Sequence, residues 1–445
     1  MRLTRPVYAV GITCFLLVAL QPSHAGASSD HAAALLVYPY IAVDTTAGTD
    51  TLVQISNTSD TPVGVRCLYE GAILDPIGGV VDLTVADFQF QLTARQPIGW
   101  RASQGLAAVP LSNDDSSQIP AIPTQPFTGI LRCVAIDRNL VPVERNVLVG
   151  AATLGQRHTP NDDLTEVAAY NAIGLAAHVG VGNGDDTLVL GGPDAEYDAC
   201  PNFSVIPHFF DSAIEPAGRA SSISTTLVLV PCSDDLAHTI PGHAVATFEV
   251  FNEFGQRFGT SQAVTFQQVS VLSAIGGVIN PDRSIFNVQV AGTLTGQTRI
   301  QSAAGSGMLA LAIETYRDLG DPTRTRRAAF NAYRLGVRDQ PDTFVLPAST
   351  PQPTSTATRI GTPTSTRQVL TPTPTAAATA SSTRTFTATG TPSVTPPAPS
   401  PTPTVAPSSS GGCSVAMQQG DGATVGLLLL GPALALLRRR RASRE

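Results

Sequence analysis

The chain has 445 residues, 27 basic and 34 acidic side chains, and a formal net charge of −7. Every basic residue is an arginine, and between Gly26 and Ala348 only 17 of them stand against 32 carboxylates, a net −15. A surface of that sign repels nucleic acid and anionic headgroups, whose binding needs clustered cations. It suits a soluble exported body, or one that attracts divalent cations.

Arg2 and Arg5 precede an apolar stretch from Val7 to Leu20, and Ser23-His24-Ala25 offers a small-x-small cleavage site before Gly26. Residues 1–25 therefore read as a Sec-type signal peptide, removed by signal peptidase. Cys14 lacks the small-residue setting of a lipoprotein signal, and the two arginines are not paired as twin-Arg export requires. The expected location is the cell envelope or surface. In that compartment Cys67, Cys133, Cys200 and Cys232 imply two disulfides. Chain order favours Cys67–Cys133 and Cys200–Cys232. Zinc held by Cys200 and Cys232 with His208 or His238 is the alternative, disfavoured because no C-x-x-C pair is present.

From Ala33 to Ala348, short alternating runs are separated by Gly, Pro, Asn and Asp, and no long 3.6-residue period appears. This pattern predicts an all-β body. Its roughly 315 residues exceed a usual single core, so two β-sandwich domains are expected, over 33–175 and 195–348. In the first, strands are expected over Leu35–Val43, Asp50–Ser56, Val63–Tyr69, Asp87–Leu92, Phe127–Ile136, Asn146–Leu154 and Thr165–Ile173. The turn residues 57–62 would close the second and third of these into a hairpin. There Val63, Val65, Cys67 and Tyr69 point inward while Arg66 and Glu70 face away. Cys67 should then find its partner in the opposing sheet. The only tryptophan, Trp100, follows a turn and reads as a core plug rather than a sugar-stacking platform.

Further strands are expected over Ser224–Val230, Ala244–Phe251, Val264–Val271, Ile285–Val290 and Met308–Glu314. Thr-Leu-Val at 51–53 recurs at 226–228, each time followed by a turn and a second strand. This weak internal repeat suggests one plan used twice, and the expected topology is two immunoglobulin-like sandwiches.

The most site-like stretch is 181–189, VGNGDDTLV, which apart from Val181 fits the calcium β-roll nonapeptide. A β-roll shares each cation between tandem turns, and here there is one copy. A lone Ca²⁺ loop on Asp185 and Asp186, with Asp194, Glu196 or Asp198 in support, is the remaining metal reading, and no other cofactor is expected. No catalytic constellation emerges. Gly305-Ser306-Gly307 lacks the flanks of a nucleophile elbow. His238 and His243 flank a Pro-Gly turn, and His208 with Asp211 has no third partner. A non-catalytic binding or structural protein is the preferred reading; a surface hydrolase of glycans or peptides is the alternative.

Residues 349–410 contain 19 Thr, 12 Pro and no acid, too little apolar surface to fold, and so read as a disordered stalk. After Gly411-Gly412-Cys413 and a polar spacer come 15 apolar residues, Ala423–Leu437, interrupted by Pro432, then Arg438–Arg441. This is shorter than the ~20 residues of a lasting span, and the arginines form a cytoplasmic stop. The tail 411–445 resembles the bacterial C-terminal sorting tags, with a Cys, a short hydrophobic helix and an Arg cluster, that are read by intramembrane sorting proteases of the myxosortase type. The resemblance implies processing by such a protease, with Cys413 as the processed, lipid-bearing residue; an ordinary short membrane anchor is the alternative. The fragments DTLVQISNTSDTPV, TLVLVPC and FEVFNEFGQRF also resemble stretches of exported bacterial proteins with similar tails, and bring no known activity with them.

Overall fold

A computed structural model describes residues 26–74, 80–110, 118–156, 165–215, 220–321 and 324–348. The expected signal peptide, the expected stalk and the tail with Cys413 lie outside these residues. The described body is all-β. Nine strands come first: β1 (Leu35–Val43), β2 (Thr49–Asn57), β3 (Val63–Leu74), β4 (Val80–Leu92), β5 (Pro97–Arg101), β6 (Phe127–Ile136), β7 (Leu148–Gln156), β8 (Thr165–Asn171) and β9 (Ile173–Leu175). There follow β10 (Thr187–Leu190), β11 (Pro201–Phe209), β12 (Ser221–Pro231), β13 (Asp234–Asp235), β14 (His243–Asn252) and β15 (Arg257–Thr265). The last are β16 (Gln268–Val271), β17 (Thr295–Gly305), β18 (Met308–Asp318), β19 (Thr325–Asn331), β20 (Tyr333–Val337) and β21 (Asp342–Val345).

These strands build five sheets: β4-β3-β6-β1-β9, β5-β2-β7-β8, β15-β14-β17-β11-β20, β16-β12-β18-β19 and β10-β21-β13. The expectation of two immunoglobulin-like sandwiches is thereby corrected. Five sheets is the blade number of a small propeller, although each sheet gathers strands that lie far apart in the chain. The fifth sheet belongs to neither half alone, since β21 pairs antiparallel with β10 and parallel with β13. The predicted hairpin also fails. β2 pairs with β5 and β7, whereas β3 pairs with β4 and β6. Between them the Asn57 amide donates to the Thr61 and Thr93 carbonyls and its oxygen accepts from Ser59 N–H, so the chain crosses from one sheet to the other.

The first two sheets and the next two follow one plan. Substituting β11 for β1, β12 for β2 and β14–β20 for β3–β9 converts the first pair of sheets into the second, strand for strand. The two Thr-Leu-Val copies fall on β2 and β12, which are equivalent in this correspondence.

Inward residues follow the alternation. Thr51, Val53 and Ile55 are buried on β2, and Val63, Val65, Cys67 and Tyr69 on β3. Trp100 is a core plug: its N–H donates to the Tyr69 hydroxyl at 2.6 Å, and its ring meets Phe88 and Phe90 edge-on. One apolar cluster joins the first half to Val228, Val230, Leu309, Phe344 and Leu346 of the second. The other lies within the second half around Ile206, Phe248, Phe286 and Ile300. Two predicted strands are corrected. Val264–Val271 breaks at Phe266, whose φ is 62°, and divides between β15 and β16. Ile285–Val290 gives way to a helical turn, Val288–Ala291, capped by the Asn287 side chain and closed by left-handed Gly292. Among the described residues no helix is long and apolar enough to cross a membrane.

Candidate functional site

Both disulfides form with the pairing that chain order favours, Cys67–Cys133 and Cys200–Cys232. Cys67 differs in one respect: its partner is not in the opposing sheet. Cys67 and Cys133 are direct neighbours on β3 and β6, with Cα atoms 4.1 Å apart. The Cys200 and Cys232 sulfurs lie near the Asp342 carboxylate, within 4.8 Å. Being bonded to each other, they offer zinc no thiolate. His208 bonds Thr298 and the Phe209 carbonyl, and His238 bonds Asp235.

The loop before β10 is organised around Glu144, which the sequence did not suggest, and Glu196, which it offered in support of a cation. The N–H groups of Gly180 and Gly182 donate to the Glu144 carboxylate and, with Val181, hold its pKa below the usual range. Successive backbone amides make such an anion nest. Glu196 accepts from Asn183 N–H and Val189 N–H. Asp185 accepts from Thr187 N–H at 2.7 Å, Asp198 meets His178 at 3.2 Å, and Asp186 lies 3.8 Å from the Arg66 guanidinium. Among the described residues no three of these carboxylates converge within ligating distance of one another. With Asp186 facing a cation already, added Ca²⁺ is expected to leave the melting temperature unchanged. Thermal scans in excess Ca²⁺ and in chelator check this, and a rise that Asp185→Asn with Asp186→Asn abolishes would restore the calcium reading.

The proposed His208–Asp211 pair does not assemble. His208 Nδ1 donates to the Phe209 carbonyl and Nε2 accepts from the Thr298 hydroxyl, and burial pushes the ring's pKa down to about 4. Asp211 accepts from the backbone N–H groups of Thr225 and Ser273, and burial raises its pKa. His243 meets the Thr265 hydroxyl, whereas His238 meets Asp235. Ser306 donates to Asp342, whose carboxylate also accepts from Gly307 N–H and Ser233.

The densest chemistry lies where sequence alternation placed solvent. Arg66 and Glu70 do leave the inner face of β3, but the outer face of that sheet is covered by the second half. Each of two arginines there is built in the same way. Arg132, on β6, sits between Glu70 of its own sheet and Asp234 of β13, the latter at 2.5 Å. It also donates to the Pro231 carbonyl at 3.1 Å and lies 4.6 Å from the centre of the Phe344 ring. Arg66 sits between Asp87 of its own sheet, at 2.6 Å, and Asp186, and donates to the Pro347 carbonyl at 2.7 Å. The two clasps differ in access to water. Asp87 and Asp186 are 31% and 45% exposed, whereas the Arg132, Glu70 and Asp234 side chains are 3%, 0% and 0% exposed. Burial, partly opposed by Arg132 and reinforced by Asp234, pushes the Glu70 carboxyl up to about 8. Burial raises Asp234 as well, against its bonds to Arg132 and Gly242 N–H. The signal for this site was present in the sequence: Arg132 is the only charge in the apolar strand Phe127–Ile136.

An open groove of about 840 Å³ runs between residues 26–33 and β20. Its polar groups are largely tied to its own walls. Arg334 donates to the Ala27 carbonyl and Ser29 hydroxyl, Ser28 meets His31 at 3.2 Å, and Asp198 turns to His178. No protein-family model matches the chain, and no curated protein matches it significantly.

Proposed function

We propose that the protein is a non-catalytic β body displayed at the cell surface, binding a partner or building part of the envelope, and tethered through its C-terminal tail. One observation carries the non-catalytic part. The histidine, serine and carboxylate groups that sequence reading raised for catalysis each hold a structural partner: His208 on Thr298, Asp211 on two backbone amides, Ser306 on Asp342. A nucleophile needs a base within reach and a third group to orient it, and none of these residues is arranged so. The tether rests on the tail's composition. Fifteen apolar residues with a proline hold a membrane poorly, whereas acyl chains contribute ~0.8 kcal/mol per buried CH₂ and two anchor stably.

Intact-mass analysis of the surface-associated protein tests the tether. The expected species begins at Gly26, lacks the apolar run and arginines, and carries a modified C-terminus at or beside Cys413. Cys413→Ala should leave the precursor uncleaved. Recovery of the full tail through Glu445 with an unmodified thiol would reduce it to a plain anchor. Turnover of glycan or peptide panels by the purified mature protein would overturn the non-catalytic reading.

A further inference from the structure

The sealed clasp holds more negative charge than positive. Two carboxylates, Glu70 and Asp234, share one guanidinium, and none of the three reaches water. A lone uncompensated charge in such a place is strongly disfavoured, and the usual resolution is that a proton binds. The neighbouring cations, Arg66 and Arg338, are each engaged by other carboxylates. Arg66, on the same strand as Glu70, is engaged by Asp87 and Asp186. From β21 the seam receives Phe344 and the acid Asp342, one oxygen of which is held by Gly307, Ser306 and Ser233 while the other faces the Arg338 guanidinium at 3.5 Å. On β13, Asp235 turns outward to His238.

The two carboxylates are not equivalent. Asp234 Oδ1 accepts from Gly242 N–H at 2.5 Å, and its other oxygen, which has no hydrogen-bond partner, lies against the Arg132 guanidinium as an ion pair at 2.5 Å; a contact to a donor or cation at both oxygens favours the ionised form. Glu70 has one oxygen on Arg132 and the other, Oε1, buried without a hydrogen-bond partner. An unpaired oxygen is far less costly on a neutral carboxyl than on a carboxylate.

We propose that Glu70, Arg132 and Asp234 form a one-proton lock between the halves: the seam closes with a proton held on Glu70, and loosens when that proton is lost. The proton goes to solvent as the trio becomes accessible, leaving two carboxylates against one arginine. The direction of the raised Glu70 pKa, set mainly by burial, agrees. A folded-state pKa above the unfolded value means that the native protein holds a proton the unfolded chain has released. The contribution is complete below the unfolded pKa of about 4.5 and is lost as pH rises through about 8.

Urea unfolding of the whole mature protein and of Glu70→Gln, from pH 5 to pH 9.5, tests the lock. Glutamine keeps the shape of a neutral carboxyl and cannot titrate. Relative to that variant, the native protein's folded-to-unfolded ratio should fall up to tenfold per pH unit between about pH 5 and 8. Parallel curves for the two proteins would overturn the proposal. If Glu70→Gln does not fold, calorimetry of the unaltered protein decides it: unfolding at pH 7.5, compared across buffers of different ionisation enthalpy, should release close to one proton. Release of none would overturn the lock, because a purely structural ion pair takes up or loses no proton there.

Discussion

Arg132→Met is expected to destabilise the protein by about 3–5 kcal/mol at pH 7, the range found when one partner of a buried ion pair is removed. Methionine fills much of the arginine stem's volume, so the loss is electrostatic more than steric. It would leave Asp234 ionised in a dry seam, the Pro231 carbonyl without its donor, and Phe344 without the guanidinium over its ring. Urea unfolding at pH 7 and pH 4.5 measures the effect, and the deficit should shrink at the lower pH, where Asp234 can protonate as well as Glu70. Adding Glu70→Gln and Asp234→Asn should recover most of the loss, because a neutral trio carries no stranded charge. A deficit below ~1 kcal/mol, typical of exposed pairs, would mean that water reaches the trio.

The second large effect concerns Cys67–Cys133. The bridge closes a loop with a sequence separation of 66, and the chain-entropy relation gives about 4 kcal/mol for a loop of that length. Cys67→Ala with Cys133→Ala should lower the oxidised protein's stability by that amount. The same double change at Cys200 and Cys232, separated by 32 residues, should cost slightly less. Denaturant midpoints of the two double variants provide the comparison. Equal stability of the first variant and the unaltered protein would show that pairing between β3 and β6 already holds these positions in the unfolded ensemble. Peptide mapping without reductant should recover both bridges as described.

Local pattern carried a good part of the fold. Leu35–Val43 and Phe127–Ile136 are strands with the bounds that sequence assigns, because apolar runs between turn residues leave little latitude. The Thr-Leu-Val repeat pointed to a plan used twice, and strand order bears this out. What alternation cannot report is how many faces of a sheet are covered. It separates Arg66 and Glu70 from Val65 and Cys67 but says nothing of what lies beyond them, and here the second half does. Pairing was equally hidden. Residues 57–62 have the composition of a hairpin turn, yet the backbone carbonyls that the Asn57 amide reaches, at Thr61 and Thr93, belong to a crossing between sheets. The helical turn at Val288–Ala291 was missed because four residues with two valines look like a strand edge; its cap, Asn287, and left-handed Gly292 were the overlooked signs. At the loop before β10, glycine and aspartate suggested a cation site, while the backbone there closes instead on Glu144, more than thirty residues upstream.

The fifth sheet sets a schedule for assembly. β21 is the last described strand, and it alone links β10, which lies between the halves, to β13, inside the second. Domains generally form from the N-terminus as the chain emerges, so β1–β9 can pair while the residues of the second half are still being made. Until Asp234 and Phe344 arrive, the outer face of β3 and β6 lies open to water, and Glu70 there has every reason to be ionised. Closure then draws a proton from the medium at the moment the last strand docks. The acidity of the compartment in which the chain emerges thus becomes a control on the final step of maturation, separate from any control on the finished protein.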